Sequence, residues 1–326
     1  MRGSIRCALV ALTAAPGAAH APKYQPPDIS PVHDPAILAD RGRFLLMSTG
    51  HVGSATGLLP LRVSPDLRRW TRAGASFLAL PAWAERMVPG TRGMWAPDLS
   101  RVGGEYRLYY SLSAFGKNRS AIGLAVADRI DAAAPATHWI DKGPVIASRA
   151  GDDFNAIDPA AFVDATGRQW LAFGSFWSGI KLIELDPASG LRRAGTPMRA
   201  IAARSGTGAI EAPFVIRRGG FYYLFASFDF CCRGAASTYR TVVGRARAPT
   251  GPYVDRAGVA MLAGGGTTVL PVGRGTRFVG RGHVAILQAP GGDRIVYHAY
   301  DTQRRGAPTL RIQRLDWDAQ GWPIAR

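Results

Sequence analysis

Three acidic residues lie beside a proline, or one residue from it, at remote points of the chain. They occur in His33-Asp34-Pro35-Ala36-Ile37, Asp158-Pro159-Ala160-Ala161-Phe162 and Glu211-Ala212-Pro213-Phe214-Val215. A fourth acid follows its proline in Ala96-Pro97-Asp98-Leu99. Carboxyl groups gathered in one cleft perform proton transfer when their surroundings differ, one kept neutral and another ionised. Hydrolysis of a glycosidic bond needs such a pair: an acid for the leaving oxygen, and a carboxylate that activates water or attacks carbon. Glu211 lies in an apolar frame of Ala209, Ile210, Ala212, Pro213 and Phe214, which disfavours its anion and suits a proton donor. Asp34 adjoins His33, a polar neighbour that favours the anion required of a base. Asp158 is expected to orient Glu211 and, as a nearby negative charge, to keep its proton on. An acid next to a proline is by itself more often a turn than a catalyst, and Asp98 is expected to be structural.

Each acid leads into an aromatic-rich run: RFLLMS (43–48), YRLYYSLS (106–113), QWLAFGSF (169–176) and FYYLFASF (221–228). A fifth unit, Gly282-His283-Val284-Ala285-Ile286 followed by IVYHAY (295–300), puts histidine in the acid's place. Spacings of 64, 60 and 53 residues between acids, then 72 to His283, mark an internal repeat. The period is too long for one hairpin and right for a small four-stranded sheet. Sheets of that size stack radially as propeller blades. The sequence therefore predicts an all-β, five-bladed β-propeller with four-stranded blades, whose central axis would gather acids that the chain keeps apart. A blade needs neighbours to bury its faces, so residues 22–326 are expected to form one catalytic domain. GLAVAD (123–128) and TVVGRARA (241–248) read as middle strands. SPDLRRW (64–70) and PTGPYVDR (249–256) read as outer turns, each with an aromatic to pack between blades. PAWAERM (81–87) is the best helical candidate, and it is short.

Hydrophobic residues make up 47% of the 326, which supplies a large core, and scattered glycine and proline suit many short strands with many turns. The amino terminus reads as a secretory signal over residues 1–21: Arg2 and Arg6, an apolar stretch from Cys7 to Ala15, and the cleavage pattern Ala19-His20-Ala21. The expected mature chain starts near Pro22 and works outside the cytoplasm, secreted or periplasmic. No apolar run reaches bilayer-spanning length. Cys231 and Cys232 would then be the remaining cysteines, able to join only through a tight eight-membered ring that an oxidising compartment allows. The net charge is +17, yet only four of forty basic residues are lysines, and no recognition helix, zinc-finger spacing or RNA-binding signature accompanies the arginines. Nucleic acid is therefore not expected as a partner. The bland reading is a solvated, arginine-biased surface; the sharper one is attraction to an acidic polymer.

The strings HDPAI (33–37), WAPDL (95–99), NAIDPAAF (155–162), GSFWSGI (174–180), IEAPF (210–214), FDFCC (228–232), GPYVD (251–255), GGGT (264–267) and YHAYD (297–301) resemble those of endo-1,5-α-L-arabinanases of glycoside hydrolase family 43. Their order and approximate spacing match from about residue 30 to the end. The resemblance implies a five-bladed propeller that cuts α-1,5-linked arabinan with inversion, with Asp34 as general base, Glu211 as general acid and Asp158 orienting and tuning that acid. Inversion asks for base and acid carboxyls about 6.5–9.5 Å apart. Matched positions suggest substrate contacts at Trp95 and Phe115, whose rings could stack on furanose faces or instead pack between blades. Gly116, Asn155, Ser175 and Trp177 match stretches that line sugar subsites. His283 matches a histidine that holds a calcium or other cation on the axis, mostly with waters; a lone histidine is otherwise more often a structural hydrogen-bonder. No organic cofactor is implied, and a monomer acting on arabinan, within an acidic polysaccharide such as pectin, is expected.

Two positions depart from the family pattern. Ala114 stands where a small hydroxyl residue is frequent, and Arg281 precedes Gly282 where proline is common, placing a bulky cation beside the supposed axial site. Within the same chemistry, an exo-acting arabinofuranosidase or xylosidase would use the same three acids. A retaining fructan hydrolase is disfavoured, because His33-Asp34-Pro35-Ala36 stands where Asn-Asp-Pro-Asn-Gly would be. In a different class, a non-catalytic sugar-binding propeller would have no need of all three acids. The triple-glycine at 264–266 is not followed by the lysine and helix of a phosphate loop.

Overall fold

The aromatic-rich runs each form the second strand of a small antiparallel sheet, and the sheets follow one another as five blades of a propeller. The structure, a computed structural model, describes Met1 and residues 29–326; the expected signal segment and cleavage point lie outside the described residues. Blade I contains Ala36–Asp40, Arg43–Met47, Leu58–Ser64 and Thr71–Phe77. Blade II contains Gly93–Val102, Glu105–Leu112, Ser120–Ala127 and Ile140–Ser148, with the two-residue strand Gly50–His51 added at its inner edge. Blade III contains Ala160–Val163, Gln169–Phe173, Ile180–Leu185 and Arg199–Ala202. Blade IV contains Ile210–Arg218, Phe221–Phe228, Arg240–Ala246 and Thr267–Leu270; blade V contains Phe278–Leu287, Arg294–Asp301, Ala307–Trp317 and Pro323–Ala325. The helical candidate shrinks to one turn, Ala84–Met87.

One apolar cluster fills each junction between neighbouring blades, as expected of units that cannot bury both faces alone. The strand Ser120–Ala127 is buried along its whole length because blade surfaces cover it on both sides. Trp70, from the outer turn of blade I, joins Val32 and Leu46 against Val296 and Leu310 of blade V. Tyr253, from the outer turn of blade IV, is buried against blade III. The ring is closed by the first described residues: Val32 N–H donates to Pro308 O at 3.0 Å, and Leu310 N–H to Ile29 O at 2.9 Å.

At the axial end of every blade, one residue turns into the left-handed region: Asp34 (φ 53°), Ala96 (44°), Asp158 (60°), Ala212 (53°) and His283 (50°). Each such non-glycine turn costs about 1–2 kcal/mol, a strain the surroundings must hold. They do so through a circuit of hydrogen bonds between consecutive blades. The amide of Ala96 is accepted by Thr49 Oγ1 (2.9 Å), of Asp158 by Ser111 Oγ (3.0 Å) and of His283 by Ser227 Oγ (2.8 Å). Asp34 N–H donates to His298 Nδ1 (3.1 Å) and Ala212 N–H to Asp158 Oδ2 (3.1 Å). This register refines the repeat. Asp34, Asp158 and His283 are true equivalents, whereas Glu211 precedes the turn residue by one place and Asp98 follows Pro97.

Candidate active site

The turns bring Asp34, Asp158, Glu211 and His283 together at the axis. β-Bulges between Trp95 and Asp98, Glu211 and Phe214, and Gly282 and Ala285 interrupt the innermost ladders at the same level, and such bulges re-aim side chains. Asp34 is enclosed by donors. Thr49 Oγ1 lies 2.6 Å from its Oδ2, His33 Nδ1 2.8 Å from the same oxygen, and His283 Nδ1 3.0 Å from its Oδ1. Burial alone would raise the Asp34 carboxyl, but the His33 and His283 rings outweigh it and hold it well below the ordinary carboxylate range. His33 is itself fixed, stacked on His298 at 3.9 Å and hydrogen-bonded through Nε2 to Tyr300 Oη at 2.8 Å.

Glu211 and Asp158 behave in the opposite sense. Burial raises both carboxyls; Glu211 and Asp34 push Asp158 up further, and Asp34 does the same to Glu211. Ser175 Oγ donates to Glu211 Oε2 at 2.7 Å, Tyr239 also hydrogen-bonds Glu211, and His283 favours both anions, yet burial prevails. The fully buried Tyr239 lies flat along His298, and a Cβ on Gly282 would fall 2.2 Å from its ring. Glycine is thus required there by close approach. The site therefore holds an ionised carboxylate, Asp34, beside a pair that retains a proton above the usual range.

His283 sits among the three acids. Burial would lower its imidazole, but Asp34, Asp158 and Glu211 together push it up to about 9. A cation held largely by water would need the neutral ring, with Nδ1–H given to Asp34 and the Nε2 lone pair turned to the ion, so it would compete with the proton that the surrounding acids favour. Arg281, which the sequence placed beside this histidine, turns away, its guanidinium donating to Phe278 O (3.1 Å) and Thr276 Oγ1 (3.1 Å).

Of the remaining expected residues, Trp95 stands in the first strand of blade II beside its bulge, and the others occupy connections on the same face. Phe115 is 80% exposed and Trp177 41%, both free to present a ring to a ligand. Gly116 adopts φ +74° in the loop beside Phe115. Trp95 is half-buried, tilted against His51, and its indole N–H has no partner among the described residues. Asn155 is buried with Oδ1 likewise unpartnered. Both atoms are buried away from solvent, where an unmet hydrogen bond is costly. Ser175 commits its hydroxyl hydrogen to Glu211. Asp98 is buried, with Oδ2 accepting the amide of Ala161 at 3.0 Å, a structural tie between blades II and III. Thr49, Tyr239 and His298 were not anticipated from sequence. Thr49 left one trace, a small polar residue near the end of several second strands, as in Met47-Ser48-Thr49, Tyr110-Ser111 and Ala226-Ser227; Tyr239 and His298 do not share it. Cys231 and Cys232 are joined to each other, and Cys232 N–H donates to Tyr300 Oη at 2.7 Å, on the far side of His33.

Residues 29–323 match the model of "Glycosyl hydrolases family 43". The chain is 42% identical to an extracellular endo-α-(1→5)-L-arabinanase of Bacillus subtilis, covering 90% of this chain and 87% of that protein. It is 40% identical to an extracellular exo-α-(1→5)-L-arabinofuranosidase of Cellvibrio japonicus, over 90% and 85%. Its fold is similar to that of an α-L-arabinanase of Cellvibrio cellulosa complexed with arabinohexaose. The TM-score is 0.84, with 38% identity and coverage of 90% of this chain and 95% of that one. Among the described residues, no helix is long and apolar enough to cross a membrane.

Proposed function

The chain belongs to glycosyl hydrolase family 43 and is a glycoside hydrolase, and from that premise we propose that it is a secreted arabinanase cleaving internal α-1,5-L-arabinofuranosidic bonds with inversion. Glu211 protonates the leaving glycosidic oxygen. Asp34 takes a proton from a water whose oxygen attacks the anomeric carbon as the carbon–oxygen bond breaks. Asp158 holds the backbone beside Glu211 and opposes its ionisation. The exposed rings of Phe115 and Trp177, with Trp95 and Asn155, receive the neighbouring sugars. A calcium ion at His283 would supply fixed positive charge on the axis; Asp34 keeps that imidazole oriented through Nδ1.

The observation that carries this reading is the convergence of Asp34, Asp158 and Glu211 in one buried axial cluster, where two histidines and Thr49 surround the Asp34 carboxylate while burial favours the protonated form of the other two acids. Extracellular relatives of both endo and exo action support arabinan as substrate and leave the cutting mode to experiment. Incubation with linear arabinan should yield mixed short oligomers from the first minutes. Arabinose alone would assign the chain to the exo mode. The first-formed anomer, followed by proton NMR, should be β; an α product would overturn inversion.

A further inference from the structure

The arginine excess is distributed unequally over the propeller. Strand direction alternates within each blade, so loops joining second to third strands, and each blade to the next, open on the face carrying Asp34 and Glu211. On the opposite face, the connecting loops hold nine arginines and eight aspartates, close to neutral. On the site face, the loops around blades IV and V (203–209, 229–239, 271–277 and 302–306) hold Arg204, Arg233, Arg274, Arg277, Arg304 and Arg305 against a single acid, Asp229. These loops are in contact. Thr302 N–H donates to Arg277 O at 2.9 Å, and Gly234 packs against Arg305 and Gly306.

Some of that charge is used internally. Arg204 shares Asp229 with Arg240 (2.9 and 2.8 Å), and Arg277 is paired with Asp301 (2.7 Å). The Arg233 guanidinium lies 4.2 Å from the centre of the Phe230 ring. Arg274, Arg304 and Arg305 are exposed and form no ion pair at contact distance among the described residues; Arg304 lies near enough to Asp301 to help Arg277 lower that carboxyl. Arg274 borders a cavity of about 400 Å³ whose other walls include Ser237, Val272, Thr276, Val279 and Thr302. That volume lies within the range of small-ligand sites. Thr302 gives its hydroxyl hydrogen to Arg277 O, so its oxygen is left to accept from a ligand, whereas Thr276 Oγ1 already accepts from Arg281. Guanidinium is the side chain suited to bidentate carboxylate recognition, and like charges held together favour a polyanion. None of the residues lining the cavity is aromatic, whereas unpaired nucleic-acid bases are received by stacking.

We propose that this cavity is a second, non-catalytic carbohydrate site for a carboxylate-bearing polysaccharide: Arg274 takes one uronate carboxylate, and Arg304 and Arg305 meet further charges along the polymer. The site is separated from the three acids by Tyr300, His33 and the Cys231–Cys232 bridge. It would hold the enzyme on an acidic polymer while the cleft works on neutral side chains. The proposal stands apart from the hydrolytic reading, since binding is measured without turnover.

The test uses polygalacturonate immobilised in native gels and titrated in solution. The parent protein should be retarded, with binding that weakens as salt rises and is absent on the fully methyl-esterified polymer. The triple variant Arg274→Gln/Arg304→Gln/Arg305→Gln should lose at least about tenfold in affinity, from charge-assisted bonds removed. A control triple on the opposite face, Arg68→Gln/Arg129→Gln/Arg192→Gln, carries the same charge change and should lose less than about twofold. Both triples should hydrolyse neutral linear arabinan at the parental rate, which also reports that they are folded. Equal loss in the two triples, equal binding of the esterified polymer, or tighter binding of single-stranded DNA than of polygalacturonate would each overturn the assignment.

Discussion

Asp158 Oδ2 accepts the amide hydrogen of Ala212 at 3.1 Å, so a carboxylate from blade III fixes the residue that follows Glu211 in blade IV. One side chain thereby does two things: it holds the left-handed turn that aims Glu211, and it forms with Glu211 a buried carboxyl pair that retains a proton above the usual range.

The two roles separate by substitution. Asp158→Asn keeps an acceptor for the Ala212 amide but removes the charge, so the Glu211 carboxyl should fall towards its ordinary range. The alkaline limb of kcat/KM on linear arabinan should move to lower pH, with a loss of roughly tenfold to a hundredfold near neutrality. Asp158→Ala loses the acceptor too and should cost more. An unmoved alkaline limb in Asp158→Asn would refute the electrostatic half of the assignment.

Asp34→Asn and Glu211→Gln should each lower activity on linear arabinan by about 10²–10⁴-fold while leaving the circular dichroism spectrum unchanged. They differ in how leaving-group chemistry affects them. An aryl arabinofuranoside with an acidic phenol needs little protonation, so it should restore much of the rate to Glu211→Gln and none to Asp34→Asn. Equal recovery in both variants would mean that the acid and base are assigned wrongly.

Stability should carry the opposite pH signature at the two positions. The Glu211 carboxyl is raised in the folded state, so its contribution is neutral below its unfolded value and becomes destabilising as pH rises towards the folded one. Removing the charge should help most in alkali: the melting temperature of Glu211→Gln relative to the parent should be higher at pH 8 than at pH 4. Asp34 is depressed, so its stabilisation is complete above the unfolded value and is lost as pH falls through the folded one. Asp34→Asn should therefore be less stable than the parent at pH 6, and the gap should close in strong acid. Differential scanning calorimetry across the range decides both.

The architecture and the acids were legible in sequence because a repeat is a one-dimensional record of radial symmetry. Pro35, Pro97, Pro159 and Pro213 each follow the turn residue, and the runs behind them supply strand patterns. The exact correspondence between copies was not legible. Reading the acid as the repeating element aligned Glu211 and Asp98 with Asp34, whereas the backbone aligns Ala212 and Ala96 with it, because conformation rather than charge is what recurs. Arg281 could not be placed from its neighbours, since its direction depends on acceptors at Thr276 and Phe278 in the preceding loop. The circuit of interblade hydrogen bonds was equally hidden. Its acceptors, among them Thr49, Ser111 and His298, differ in kind and become partners only once the ring closes.

Thr49 follows from that circuit as a positioning residue. Its hydroxyl donates to Asp34 Oδ2 at 2.6 Å and accepts the amide of Ala96 at 2.9 Å, joining the ionised carboxylate to the turn immediately after Trp95. A hydrogen bond to the anion favours it, so losing the donor should raise the Asp34 carboxyl. Thr49→Val keeps the shape without the hydroxyl: the acid limb of kcat/KM should move to higher pH, with kcat down by about tenfold. The Ala96 amide, left unpaired, should also loosen the Trp95 side of the cleft and raise KM. Thr49→Ser retains both bonds and should restore the parental acid limb. A Thr49→Val enzyme that is slower but keeps its pH profile would show that the threonine supports packing alone.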